Sequence, residues 1–192
     1  EKCQKSLEGY LEQKRNSFPR FYFVSNSVLL QILSKGSDPL AIQPFYETIF
    51  ESIAKVVHDK ADKTLITDYI SRFKDDHEIL PFLTPVVARG NIEDWLASML
   101  TSQCSTMKDF CRMCALSALD MGGASGIRGF VDGQCAQYAL LGIQIMWTAE
   151  CQSALELCKH KKNVMTDTNK HNLAVLTELS KWCLEDLGTR MK

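Results

Sequence analysis

The stretch Ser17–Leu33, "SFPRFYFVSNSVLLQIL", sets Phe18, Phe21, Tyr22 and Phe23 around Pro19 and then passes at once into a leucine-rich, helix-like run. Proline disfavours the α region for the residue before it, so a helix arriving from the N-terminus must stop here. Upstream, residues 2–17 read as that helix. Leu7, Tyr10 and Leu11 share a face, and Lys14 and Arg15 suit the negative end of its dipole. "RFYFVS" is rich in β-formers and reads as extended. Ser25 or Asn26 then caps a short helix over Val28–Leu33, which Gly36 ends. The aromatics therefore sit at a junction between helical elements. They read as a stiff joint made by Phe18, Pro19, Phe21 and Phe23, rather than as a binding surface.

The pattern continues on both sides of Pro44. Asp38 is an N-cap with Pro39 at the first helical position. A short turn leads to a helix from about Pro44, in which Phe45, Ile49 and Ile53 stack at i, i+4 and i+8 as a buried face. The period then changes. "TLITDYISRF" and "HEILPFLTPV" are β-prone runs around the polar tip "KDDH", which is a hairpin signal, and Pro81 assigns the second run to an edge. From Asn91, whose pairing with Asp94 resembles a capping box, a long helix runs to about Asp120 with Trp95, Met99 and Met107 on one face. "MGGASGIRGFVDG" breaks it. A second long helix spans about Asp132–Lys159 through Tyr138, Leu141, Ile145 and Trp147. A third starts after Thr166 or Asp167 and carries Leu173, Leu176, Leu179, Cys183 and Leu187. The fold class is mainly α: elongated helical bundles with one small β-hairpin. The expected parts are a short-helix bundle over 1–60, the hairpin over 61–88 and three long helices over 91–192.

Composition narrows the function. The chain has 192 residues, 45% apolar and 23% charged, with a net charge of −1. That balance argues against a general nucleic-acid binder or a polybasic membrane partner, because both depend on excess Lys and Arg. No apolar run approaches the roughly 18 residues needed to span a bilayer. The chain does not begin with Met and has no apolar signal core, so it reads as a piece of something longer. Most of its eight cysteines lie in apolar helical patterns, which indicates reduced thiols in the cytosol rather than a disulfide scaffold.

The search for chemistry comes back empty. Cys111-Arg-Met-Cys114 is a CxxC, but it falls in mid-helix with no βαβ pattern before it. Cys151, Cys158 and His160 are not spaced to complete a zinc site. Gly122, Gly123, Gly126, Gly129 and Gly133 lack the Lys-Ser/Thr of a phosphate loop and the strand before it. His58, His77, His160 and His171 lie in polar surroundings without an evident partner, and Lys159-His160-Lys161-Lys162 suits a helix end. Asp75-Asp76 sits at a hairpin tip, where carboxylates are solvated. No catalytic, metal or cofactor site is expected, and a small thiol or zinc enzyme on Cys111 and Cys114 is the weakest reading.

"YLEQKRNSFPRFYFVSNSVLLQIL" resembles the linker region of dynein heavy chains, in which a YLE-x-KR-x-x-FPRF-[YF]-F-[VL]-S run precedes a leucine-rich short helix. "SDPLAIQPFYETIFESI", "ITDYISRFKDDHEILPF", "GNIEDWL" and "QIMWTAE" resemble further family segments in the same order, so the likeness covers nearly the whole chain. The chain departs from the usual pattern at the hairpin tip, Phe73–His77, and in the glycine run. These departures point toward an axonemal rather than a cytoplasmic heavy chain. The resemblance implies the C-terminal half of the linker, a lever that bends and straightens as ATP turns over in a ring of AAA+ modules. It implies that ATP and Mg bind elsewhere in the parent ATPase. It implies contact with the AAA+ ring of the same chain, with Arg72, Lys74, Asp75 and Asp76 as candidate contacts. Microtubules would be reached only through other domains, and light and intermediate chains indirectly. The implied location is the cytoplasmic cytoskeleton, in a ciliary or flagellar axoneme. The main alternative is a helical protein-interaction scaffold with no motor role, which composition and periodicity alone do not separate from a lever.

Overall fold

The computed structural model describes residues 2–72, 78–121 and 123–190. Helix α1 (Lys2–Ser17) leads through a 3-10 helix (Pro19–Phe23) to α2 (Asn26–Lys35), a second 3-10 helix (Pro39–Phe45) and α3 (Tyr46–Phe50). Strands β1 (Ile53–His58), β2 (Leu65–Ser71) and β3 (Ile79–Val87) follow, and then helices α4 (Ile92–Leu119), α5 (Gly123–Asp132), α6 (Ala136–Leu157) and α7 (Val164–Arg190). The protein is mainly α, with one small antiparallel sheet. It divides into two compact units, residues 1–108 and 109–192, with the boundary inside α4.

In the first unit, "RFYFV" is a 3-10 turn and not the expected extended run. Phe18 is extended (φ −136°, ψ 96°), as a residue before proline should be, and Pro19 takes the first helical position. Backbone bonds run from Phe21 N–H to Phe18 O and from Val24 N–H to Phe21 O. A turn of three residues per repeat brings positions i and i+3 to the same side. Phe18, Phe21 and Val24 are accordingly buried together while Tyr22 and Phe23 face outward. The short helix α2 begins after Ser25 and ends at Gly36, where an added Cβ would lie 3.1 Å from Ile92 Cβ. Asp38 accepts a hydrogen bond from Leu40 N–H and caps the second 3-10 helix.

The expected helix through Ile53 stops at Phe50. Glu51 has φ 58°, which breaks the helix, and "IAKVV" has the β-branched content of a strand. Ile53 remains in the core, but as the first residue of β1. The predicted hairpin is thus part of a three-stranded sheet of order β1-β2-β3. Its pairs include Val56 with Tyr69 and Tyr69 with Leu80. Two linked Asx turns join β1 to β2: Asp59 Oδ1 accepts from the amides of Ala61 and Asp62, and Asp62 Oδ1 accepts from the Thr64 amide and hydroxyl. β3 is an edge strand, as Pro81 requires. Helix α4 closes part of that edge, with Leu83 N–H donating to Thr106 Oγ1 and Ser102 Oγ donating to Thr84 O.

In the second unit the glycine-rich segment is helical. Ile127, Phe130 and Val131 fall at i, i+3 and i+4 on α5, and packing of that face overrides the poor helix propensity of glycine. The expected break between the first two long helices is thus the short helix α5, which lies between α4 and α6. Ile127, Met146, Val175 and Leu179 form the core, flanked by Met121, Val131, Ile143 and Trp182. Helix α7 starts at Val164, after Asn163 at φ 66°, and so precedes the expected cap at Thr166 or Asp167. Its buried face is Asn172, Val175 and Leu179, whereas Leu173, Leu176 and Cys183 are exposed. No helix among the described residues is long and apolar enough to cross a membrane.

Candidate functional site

The joint after α1 has an aromatic centre. The rings of Phe18 and Phe21 meet edge to face, with centroids 5.0 Å apart and planes at 82°. Phe18 also reaches Phe50 (6.3 Å), which in turn packs on Tyr46 (6.3 Å). Such pairs add to the stabilisation that comes from area burial alone. The sequence pattern singles out Phe18, Pro19, Phe21 and Phe23. Phe18 and Phe21 are 2% and 0% exposed, while Pro19 is exposed and terminates α1. Phe23 is 75% exposed and takes no part in the packing, because the 3-10 turn points it away from the core. Its place is taken by Tyr46 and Phe50 of α3. The Tyr46 hydroxyl is buried without a hydrogen-bond partner among the described residues, and burial raises the phenol above its ordinary range.

A polar frame surrounds the rings. The Arg20 guanidinium lies 5.2 Å from the Phe50 ring centroid and donates to Ile49 O. Arg15 donates to Phe21 O, Val24 O and Asn26 Oδ1, and stacks over the Tyr22 ring. The Tyr22 hydroxyl bonds to Glu12 and to Asn16 on α1. Lys14 of α1 pairs with Glu93 of α4, whose side chain is 9% exposed. That hydrogen bond is the main reason the Lys14 ammonium is held above its ordinary value. The segments "YLEQKR" and "GNIEDWL" thus meet in space through Lys14 and Glu93. The sequence pattern does not reveal the pair. Its only signal is that each residue sits inside a motif whose role is otherwise unassigned.

Arg72 is exposed at the end of β2, and its amide donates to Ser52 O. Lys74, Asp75 and Asp76 lie outside the described residues. Cys111 is exposed, whereas Cys114 is buried and donates to Tyr138 O; burial pushes the Cys114 thiol up, away from a reactive thiolate. Among the described residues no group of three or more His, Cys, Asp or Glu side chains could hold a metal ion.

Residues 1–114 match the family profile "Dynein heavy chain, N-terminal region 2". The chain belongs to the dynein heavy chain family. Over 187 residues, 97% of its length, it is 38% identical to dynein axonemal heavy chain 8 of Mus musculus, spanning 4% of that protein. It is 38% identical over 180 residues to the dynein gamma chain of the flagellar outer arm of Chlamydomonas reinhardtii, covering 93% of this chain and 4% of that one. It is 36% identical over 156 residues to the dynein-1-beta heavy chain of the flagellar inner arm I1 complex of the same organism, covering 81% of this chain and 3% of the relative. The aromatic joint, the sheet and most of α4 fall within the matched dynein region.

Proposed function

We propose that this dynein segment is a mechanical element, the C-terminal half of the linker, and that its function is to carry force without absorbing it. The observation that supports this reading is the joint itself. Phe18 and Phe21 are fully packed where two helical elements meet, and a close-packed interior resists compression. The segment contributes no chemistry of its own. ATP and Mg would bind in AAA+ modules elsewhere in the heavy chain, and turnover there would bend and straighten the lever in a power stroke. Its direct partner would be the AAA+ ring of the same chain, with Arg72, Lys74, Asp75 and Asp76 near the contact. Microtubules would be engaged by other domains, and light and intermediate chains only indirectly. The axonemal and flagellar relatives favour a place in a cilium or flagellum.

The test is energy transfer in the full heavy chain, with one fluorophore at the start of α1 and another on the AAA+ ring. A transfer efficiency that follows the nucleotide state is the expected result. An efficiency constant across all nucleotide states would make the segment a fixed scaffold, with any bend lying N-terminal to it.

A further inference from the structure

We propose that Gln43 is a clamp that holds a one-residue register shift in the middle of β1, its carboxamide standing in for a neighbouring strand. The order β1-β2-β3 places β1 at an edge of the sheet. The two ends of β1 share one register, with Ile53 opposite Ser71 and His58 opposite Ile66. Between them Lys55, Val56 and Val57 pair with Ile70, Tyr69 and Asp68, one residue out of step. A bulge on each side makes the shift and then undoes it: Ala54 is the extra residue on β1, and Thr67 the extra residue on β2.

The shift decides what enters the core. Side chains alternate along a strand, so a β1 without bulges would turn Lys55 inward, opposite Tyr69, and Val56 outward. In the structure Lys55 is exposed, while Val56 is buried opposite Tyr69, whose ring packs on Phe82.

Gln43 grips the centre of the shifted segment. Its Nε2 donates to Val56 O (2.8 Å), and its Oε1 accepts from Val56 N–H (3.1 Å). A residue of an adjacent antiparallel strand would make the same two-bond exchange. The contact is directional, because a carboxamide turned over would set its NH2 against the Val56 N–H. Return to the regular register would turn the peptide groups of Val56 toward β2 and break both bonds. The second bulge is braced from within the sheet, where Thr67 Oγ1 donates to Val57 O. Gln43 is itself fixed by its neighbours: Ile42 and Phe45 are buried on the second 3-10 helix, and Asp38 caps its start. The clamp therefore ties the edge of the sheet to the helical part of the first unit.

Lys55 favours the same register, since a regular strand would take its ammonium out of water. The test removes that preference. In the full heavy chain, Gln43→Ala, Lys55→Met and Lys55→Met/Gln43→Ala are compared with wild type by hydrogen exchange of residues 53–58 and by cryo-electron microscopy. Gln43→Ala is expected to speed exchange in β1 by about tenfold, with wild-type protection in β2 and β3. Lys55→Met alone should keep Val56 opposite Tyr69. The double variant should lose both bulges and set position 55 opposite Tyr69. Reversion in Lys55→Met alone would overturn the clamp, by making Lys55 the cause of the shift. A double variant that keeps Val56 opposite Tyr69 would overturn it too, as would wild-type exchange in Gln43→Ala. If the double variant does not fold, Lys55→Met/Gln43→Glu, whose carboxylate cannot donate to Val56 O, is read in the same way.

Discussion

At the scale of single residues, His58 differs most from its sequence context. The sequence sets it among polar neighbours, "VVHDKADK", which suggests a solvated ring. In the structure it ends β1, and both ring nitrogens are shut off from solvent. Burial lowers its pKa below the usual value of 6.5. The unfolded chain therefore takes up a proton near pH 6.5, while the folded chain resists until a lower pH. Stability from the neutral ring is complete above pH 6.5 and is lost as pH falls through the folded value. Urea denaturation between pH 7.5 and 5 should show wild type losing stability on the acid side with a slope of at most about 1.4 kcal/mol per pH unit. His58→Phe should flatten that slope. An acid slope identical in the variant would show that His58 titrates normally.

Among the elements, α5 and α6 show how packing overrides local preference. Gly142 of α6 lies under the Phe130 ring of α5, and an added Cβ would come within 2.3 Å of Phe130 Cζ, with Cys114 Sγ at 3.3 Å. The close approach of the two helices needs a residue without a side chain. Gly142→Ala should destabilise the second unit by about 1–3 kcal/mol through overpacking, despite alanine's better helix propensity. Gly142→Ala/Phe130→Leu should recover part of that loss. A gain in stability for the single variant would mean that the ring moves aside freely. Interactions of this kind limit what the sequence reveals. The end of α1 is legible because Pro19 acts locally, whereas Ser25 makes no side-chain cap and Gly36 keeps right-handed α geometry (φ −59°) beside Ile92, so the limits of α2 depend on more than local signals. The helicity of the glycine segment, the switch from α3 to β1 and the buried face of α7 depend on partners distant in sequence. In the joint, the pattern identifies Phe18 and Phe21, but the period-three turn that excludes Phe23 comes from hydrogen bonds that composition does not reveal. Lys14 and Glu93 are each visible, but their pairing is not.

For the whole molecule, the division at residue 108 predicts how the chain comes apart. The first unit buries many large side chains, including Leu11, Phe18, Phe21, Leu29, Ile32, Ile42, Tyr46, Ile53, Ile66 and Trp95. The second unit has a smaller core around Ile127, Met146, Val175 and Leu179, and its α7 leaves Leu173 and Leu184 64% and 67% exposed. Stability tracks buried apolar area, so the second unit should melt first. Calorimetry of the 192-residue chain is expected to resolve two transitions. Phe21→Ala then assigns them, by lowering the upper one. Removing a ring that is 0% exposed should cost the first unit about 3–5 kcal/mol, a shift of its transition on the order of ten degrees or more. The transition of the second unit should stay in place. A single transition that moves as a whole would mean that α4, which runs through the boundary, makes the two units one cooperative block. An unmoved upper transition would mean that Phe21 is not the keystone of the joint, and the stiffness assigned to it would have to reside in Phe50 and Tyr46.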